Sequence, residues 1–490
     1  MPHDVMSPPP LDVDVLVVGA GLSGVDAACR LATTTHGVTW AVVEARAATG
    51  GTWDLFRYPG ARSDSDMYTL GFPFRPWRGP ASFAPAEEIL RYIRDTADEY
   101  GVTGRIHLGQ RVTRAAWSSA DRRWTVTVRT GDGELLEHRA RFVYVATGYY
   151  AYDSGHVVDF PGCADFAGTL VHPQQWPADL DVTGRRVVVI GSGATAVTLV
   201  PALVEQGAAH VTMLQRSPGY VAALPSTDGL ADLARRALPE RAAHALVRGK
   251  NVALSTLSYR FLRRFPDAGR RVLRRRLVDR LPGGWPVDTH FAPRYDPWDQ
   301  RIAVAPDGDL LDVLGGPRAD VVTATIDRFV PEGIRLDGGE VLPADVVVTA
   351  TGLRLEFGGG AELVVDGETV QVPTRHVYKG CMLSDVPNLV LAVGYTNASW
   401  TLRADLTARW FCRLLRHLRR HGRTVAVPRW DGTGGAERPL LGLTSGYIRR
   451  GEHLLPTQGT RRPWLVVQNY VADLVATRLG RLDDGVLELR

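Results

Sequence analysis

The chain has 490 residues, 45% of them hydrophobic and 22% charged, which describes a globular protein with a large core rather than a disordered or collagen-like chain. That length suits two to four domains, and a net charge of +4 is too small to point to nucleic acid as a partner.

The start, residues 1–10, is proline-rich and lacks the basic-then-apolar layout of a secretory signal. Apolar stretches such as 13–20, interrupted by Asp14, and 187–190 fall far short of the roughly 20 residues of a membrane span. A cytoplasmic location is therefore the expectation. Residues 12–18, β-branched and apolar apart from Asp12 and Asp14, read as a buried parallel strand. The turn Gly19-Ala-Gly21-Leu-Ser23-Gly24 follows, and then a helical pattern over 25–32. A second short run, 39–43, ends at Glu44. Residues 106–116 and 123–130 alternate like the two arms of an antiparallel hairpin, and 142–148 reads as a strand closing on Ala-Thr-Gly.

The same design then recurs. Residues 186–190 are a second buried strand, Gly191-Ser192-Gly193-Ala194-Thr195-Ala196 a second turn, and 197–206 a second helix. Another Ala-Thr-Gly closes the run 345–352. Between them, about 225–290 is helical and arginine-rich and reads as an insertion. Its charges read as a solvated surface, with a weak membrane-surface or partner contact as the other reading. The segment from about 380 to 490 has too little periodic signal for a free domain and is expected to return to the first one.

A glycine-rich turn between strand and helix lets backbone approach a pyrophosphate, whose charge sits at the helix N-terminus. In the first copy Glu44 stands 20 residues past Gly24, where a carboxylate holds a ribose 2′-hydroxyl. That site reads as FAD or NAD. In the second, Arg216 stands 20 residues past Ala196 with no acid beside it, which suits a 2′-phosphate and hence NADP. The expected fold is α/β: two Rossmann-like domains, with the helical insertion in the NADP-binding one. The expected boundaries are 1–150 for the FAD-binding domain, 151–345 for the NADP-binding domain, and 346–490 for the return to the first.

Flavin-linked disulfide reductases of this architecture carry a redox cysteine pair after the Gly-Gly that follows the acid. Here Gly50-Gly51 is followed by Thr52-Trp53, and the four cysteines (Cys29, Cys163, Cys381 and Cys412) leave none between 29 and 163. A thiol relay is closed, and the scattered thiols read as reduced and structural.

Two longer motifs carry a resemblance. Phe166-Ala-Gly168-Thr-Leu-Val-His172-Pro-Gln-Gln-Trp176-Pro177 matches the signature of Baeyer–Villiger monooxygenases, as does Gly50-Gly51-Thr-Trp53 with Tyr58-Pro59-Gly60-Ala-Arg62-Ser63-Asp64. With Asp296-Pro-Trp-Asp-Gln-Arg301 and Gly394-Tyr-Thr-Asn-Ala-Ser-Trp400, the chain most resembles the ethionamide-monooxygenase branch of these class B (type I) flavoprotein monooxygenases. The resemblance implies an enzyme that uses FAD, NADPH and O2, through a C4a-peroxyflavin, to insert oxygen beside a ketone carbonyl and give an ester or lactone. Its alternatives are a heteroatom oxygenase of sulfides, thioamides or amines, and an NADPH-dependent electron-transfer reductase or redox sensor.

Carried over by resemblance, the catalytic cation is Arg294, held by Asp64, with Pro293 where many larger members have Lys. FAD contacts are implied for Gly19, Gly21, Ser23, Gly24, Glu44, Thr52, Trp53, Asp54, Leu55, Asp64 and Val112. NADP contacts are implied for Arg62, Ser63, Asp64, Gly191, Ser192, Gly193, Ala194, Thr195, Ala196, Arg216 and Ser217. Trp400 is a candidate for the substrate or nicotinamide pocket, and His172 for a structural or domain-coupling role.

Overall fold

The computed structural model describes residues 9–490, so most of the proline-rich start lies outside the described residues. The first fingerprint strand, Asp12–Val18, is central to a large sheet. It pairs in parallel with Trp40–Val43 on one side and with Leu135–Val145 on the other. Val15, Leu16 and Val17 are fully buried, as expected for a strand covered on both faces.

The expected hairpin forms between Arg111–Ser118 and Arg123–Arg129, and Leu135–Val145 extends it. The stretch 106–116, however, is two strands rather than one. Ile106–His107 pairs in parallel with Trp40–Val43, and the chain then reverses at Gly109, whose φ is +70°. The amides of Gly109 and Gln110 donate to the carbonyls of Arg46 and Glu44, so the reversal wraps the end of the strand that carries Glu44. Alternation alone does not reveal such a break.

The second sheet is wholly parallel, in the order Ala319–Thr323, His210–Gln215, Arg186–Ile190, Val346–Thr349, Thr169–Val171. Val346–Thr349 therefore lies beside the second fingerprint strand. The handover to the first unit comes after Thr349 rather than at 346, because Val346, Val347 and Val348 complete this core. The chain re-enters the first unit where Tyr150 bridges Leu355 and where Glu362–Val365 joins Arg111–Ser118.

The C-terminal part then packs onto the sheet of the first fingerprint. Leu389–Leu391 pairs with Leu135–Val145, and the long helix Trp400–Arg420 packs on the first fingerprint helix, Leu22–Thr34. A buried ion pair between Arg30 and Asp405, 2.5 Å, joins the two helices. The insertion consists of helices Gly229–Ala237, Glu240–Arg264, Pro266–Val278 and Val287–Phe291. No helix among the described residues is long and apolar enough to cross a membrane.

Candidate functional site

Each fingerprint turn is closed so tightly that glycine is needed. Gly19 has φ +104°, and a Cβ there would lie 2.7 Å from the Ala146 carbonyl oxygen. A Cβ on Gly24 would come within 1.8 Å of the Gly19 carbonyl oxygen. In the second copy, Gly191 has φ +144°, and its Cβ would lie 2.4 Å from the Ala350 carbonyl oxygen. Ala146 and Ala350 are the alanines of the two Ala-Thr-Gly segments, so each strand-closing motif is packed against its own fingerprint.

Both following helices begin at a glycine, Gly21 and Gly193, with no side-chain cap. Their first-turn N–H groups are left for an anion. Space in front of Gly193 is open, with nothing within 4 Å of an added Cβ.

Glu44 is buried at the end of its strand, and its carboxylate accepts from the amides of Ala20 (2.7 Å) and Arg46 (2.9 Å). Burial pushes its pKa up, and the two amides oppose the rise. Glu44 lines a cavity of about 200 Å³ together with Gly19, Gly21 and Val112. Gly21, Ala146, Tyr150 and Tyr152 also line a second cavity of about 470 Å³, so the two form one slot running past the first fingerprint.

The larger cavity lies between the two units. Ser23, Thr52, Trp53, Arg62, Ser63 and Asp64 face it from the first, and Ser192, Gly193, Ala194, Thr195 and Ser217 from the second. Trp400 lines it as well, donating from its indole N–H to Ser23 Oγ at 2.8 Å. Gly24, Gly191 and Ala196 lie behind the turns, where strand and helix pack. Asp54 and Leu55 line neither cavity. The Asp54 carboxylate is instead buried among three arginines, Arg46 (2.6 Å), Arg57 (2.7 Å) and Arg94 (3.1 Å).

Arg62 pairs with Asp309 through Nη1 at 2.5 Å, while its Nε and Nη2 are buried without partners. Two unsatisfied guanidinium donors beside a cavity suit a phosphate. Arg216 is exposed at the end of His210–Gln215 and has no ion-pair or hydrogen-bond partner among the described residues. Ser192 Oγ donates to the Ser217 carbonyl at 3.2 Å, tying this corner to the fingerprint turn.

The expected pairing of Arg294 with Asp64 does not form. Asp64 pairs with Arg301, Nη2 to Oδ2 at 2.9 Å, and both line the large cavity. Arg294 is exposed, outside the cavity lining, because Phe291 and Pro293 take the inward positions of that segment. The chain turns back through 296–299, with Trp298 at φ +72° and the Asp299 amide donating to the Asp296 carbonyl. That turn delivers Arg301 to the cavity. Asp64 is the main cause holding the Arg301 guanidinium more firmly charged than usual. The residue before this arginine is Gln300, which also lines the cavity, so Pro293 is not the position to compare with the family lysine.

Residues 13–241 match the family model described as pyridine nucleotide-disulphide oxidoreductase. Over 472 residues the chain is 47% identical to the FAD-containing monooxygenase EthA of Mycobacterium tuberculosis (strain ATCC 25618 / H37Rv), covering 96% of each chain. It belongs to the FAD-containing monooxygenases. Among solved structures, oxidized steroid monooxygenase bound to NADP superposes with a TM-score of 0.78 at 23% identity, covering 98% of this chain and 99% of that one. Epsilon-caprolactone-bound cyclohexanone monooxygenase gives 0.76 at 20% identity, covering 98% and 100%. At those identities the likeness is one of fold.

The family model's name includes disulphide chemistry, but this monooxygenase places Trp53 rather than a thiol at the cavity. Cys29, Cys381 and Cys412 are buried, and burial pushes the Cys381 and Cys412 thiols up to about 12 and about 11. His172 is likewise off the cavity lining. Its Nδ1 accepts from the Gln174 amide at 3.1 Å, and its ring covers Gly155, where a Cβ would lie 1.9 Å from the imidazole.

The sequence reading missed Arg301 and an aromatic wall. Tyr149 stacks on Trp400 at 5.0 Å, Tyr150 donates to the Tyr149 hydroxyl at 2.6 Å, and Tyr447 adds a third ring to the lining. Burial pushes the Tyr149 and Tyr150 phenols well up, so they stay protonated at neutral pH. Arg301 had a signal, since it closes the motif Asp296–Arg301. Tyr149 and Tyr150 directly follow the first Ala-Thr-Gly but belong to no motif, and Tyr447 comes from the distant C-terminal part.

Proposed function

We propose that this FAD-containing monooxygenase takes electrons from NADPH and inserts one atom of O2 beside the carbonyl of a ketone. Ketone, O2, NADPH and a proton give an ester or lactone, water and NADP+. The observation that carries this reading is the Asp64–Arg301 pair inside a cavity of about 470 Å³ lined by both fingerprints.

The residues present suit both dinucleotides. FAD would be held along the slot by Gly19, Gly21 and Ser23, and Glu44 would take its ribose hydroxyls. NADPH would be held by Gly193, Ala194 and Thr195, with Arg62 pairing its pyrophosphate and Arg216 its 2′-phosphate. FAD supplies the redox chemistry that activates O2.

The chain's own residues supply binding, charge and water exclusion. Arg301 is a fixed cation for the negative charge that develops on oxygen during addition to the carbonyl, which preorganised charge stabilises without reorganisation. Asp64 holds the guanidinium in place. Trp53, Trp400, Tyr149 and Tyr447 form an aromatic wall that keeps water from the reacting atoms. His172, clamped on Gly155 in the connection between the units, positions one unit against the other.

The test supplies purified holoprotein with NADPH, isotopically labelled O2 and a panel of linear, cyclic and aromatic ketones alongside thioethers. Labelled ester or lactone supports the proposal. Label confined to sulfoxide assigns the protein to heteroatom oxygenation. NADPH consumption that yields only hydrogen peroxide across the panel refutes both.

A further inference from the structure

Charge is distributed very unevenly along this chain. Residues 229–280 carry 14 Arg and Lys against 4 Asp and Glu, a net +10. The whole chain is only +4, which leaves −6 for everything else. No acidic residue occurs between Arg241 and Pro266. This basic stretch is the helical insertion, whose longest helix is Glu240–Arg264.

The same helix presents apolar side chains to solvent. Leu246, Leu254, Leu257 and Phe261, with Phe265 at its end, are between 40% and 62% exposed. On the neighbouring helices Leu230, Leu233, Val272 and Val278 are exposed too. Single exposed leucines are ordinary on a soluble surface, but here they recur along consecutive helices of one insertion. The buried side of the long helix is accounted for by Ala243, Val247, Val252 and Leu262, so the exposed set is a second apolar face.

Arginines stand among these side chains. Arg236, Arg260, Arg271 and Arg276 are exposed and make no ion pair or hydrogen bond among the described residues, and Arg264 contacts only the Phe265 ring, 5.2 Å away. An isolated solvated helix surface is usually laced with paired charges of both signs. Other basic residues of the insertion are paired, Arg263 with Asp299 and Arg274 with Asp288 among them. But an apolar face flanked by unpaired arginines, on a stretch without acids from Arg241 to Pro266, is the arrangement that lies in the headgroup layer of an anionic bilayer.

We infer that the helical insertion docks this protein on anionic lipid surfaces, with Leu254, Leu257 and Phe261 entering the interface and Arg260 and Arg264 contacting lipid phosphates. The charge complementarity selects lipid as the occupant. The contact is peripheral and reversible, because a few partly exposed side chains give far less binding than a spanning helix.

The test is flotation of FAD-loaded protein with vesicles of phosphatidylcholine alone and of phosphatidylcholine with about a third phosphatidylglycerol. Binding is expected to the anionic vesicles only, and to fall steeply as salt rises. Arg260→Glu with Arg264→Glu should lower partitioning by about thirtyfold or more. Leu257→Ser with Phe261→Ser should also release the protein. Both variants should retain FAD and NADPH oxidation in solution, which shows that they fold.

Equal binding to both vesicle types, or none to either, overturns the inference. It is also overturned if the apolar variant shifts a vesicle-free oligomer to a smaller species on size-exclusion chromatography, since the face is then a contact between copies.

Discussion

Replacing Arg301 by Ala tests the assignment of the cation most directly, with Arg294→Ala as its control. Arg301 lines the cavity and Arg294 does not, so the two changes remove the same charge from different places. Loss of one preorganised group that stabilises a developing oxyanion costs about 3–4 kcal/mol, or roughly a hundred- to a thousandfold in kcat. That is the drop expected for Arg301→Ala in ketone oxygenation.

Arg294→Ala should stay within about twofold, as for an exposed side chain without a partner. Asp64→Asn falls between them. The pair is 2.9 Å long and each side chain is about a third exposed, so solvent screening leaves its attraction at about 1 kcal/mol. A loss of about fivefold to tenfold in kcat follows, because the guanidinium is still present but less well held.

The assay is ester formation by gas chromatography under saturating NADPH, read beside FAD content and melting temperature so that misfolding is detected. If Arg301→Ala keeps ketone oxygenation within about threefold of the parent, the role given to the pair is wrong. A collapse in Arg294→Ala would restore the expectation based on motif resemblance.

Arg216→Ala should raise KM for NADPH by about tenfold or more while leaving NADH nearly unchanged, since a charge-assisted contact to a 2′-phosphate contributes about 1.5–3 kcal/mol. Steady-state kinetics with both nucleotides checks this, and an unchanged preference refutes it. Gly24→Ala should yield protein without bound FAD, because the new Cβ would lie 1.8 Å from the Gly19 carbonyl oxygen; the flavin absorbance of the purified variant is the readout.

Acid should destabilise the protein through His138. Its Nδ1 accepts from the Leu11 amide, its Nε2 meets Gln110, and burial lowers its pKa to about 4. The unfolded chain binds this proton near pH 6.5, whereas the folded one binds it only near 4. The stability contributed by the neutral ring is therefore complete above 6.5 and is lost as pH falls toward 4, by about 3 kcal/mol. Denaturant titrations across that range should show the loss in the parent and a flatter dependence in His138→Gln.

The two dinucleotide units were legible in the amino-acid order because every part of each fingerprint is local. Strand, glycine turn, helix and distal acid or arginine lie within one short segment, and backbone sterics dictate which positions must be glycine. The contrast between Glu44 and Arg216, and the absence of a cysteine near Trp53, were readable for the same reason.

The partner of Asp64 was not, because it comes from a segment far along the chain. That segment is delivered by a turn with Trp298 at positive φ, while Arg294 is turned outward by the burial of Phe291 and Pro293. The break at Gly109 and the placing of Val346–Thr349 in the second sheet are of the same kind. Spacing along a chain specifies the local turn and the helix that follows it. Which distant side chains then meet across the cavity depends on how loops reverse and which faces pack, and only the tertiary structure decided that.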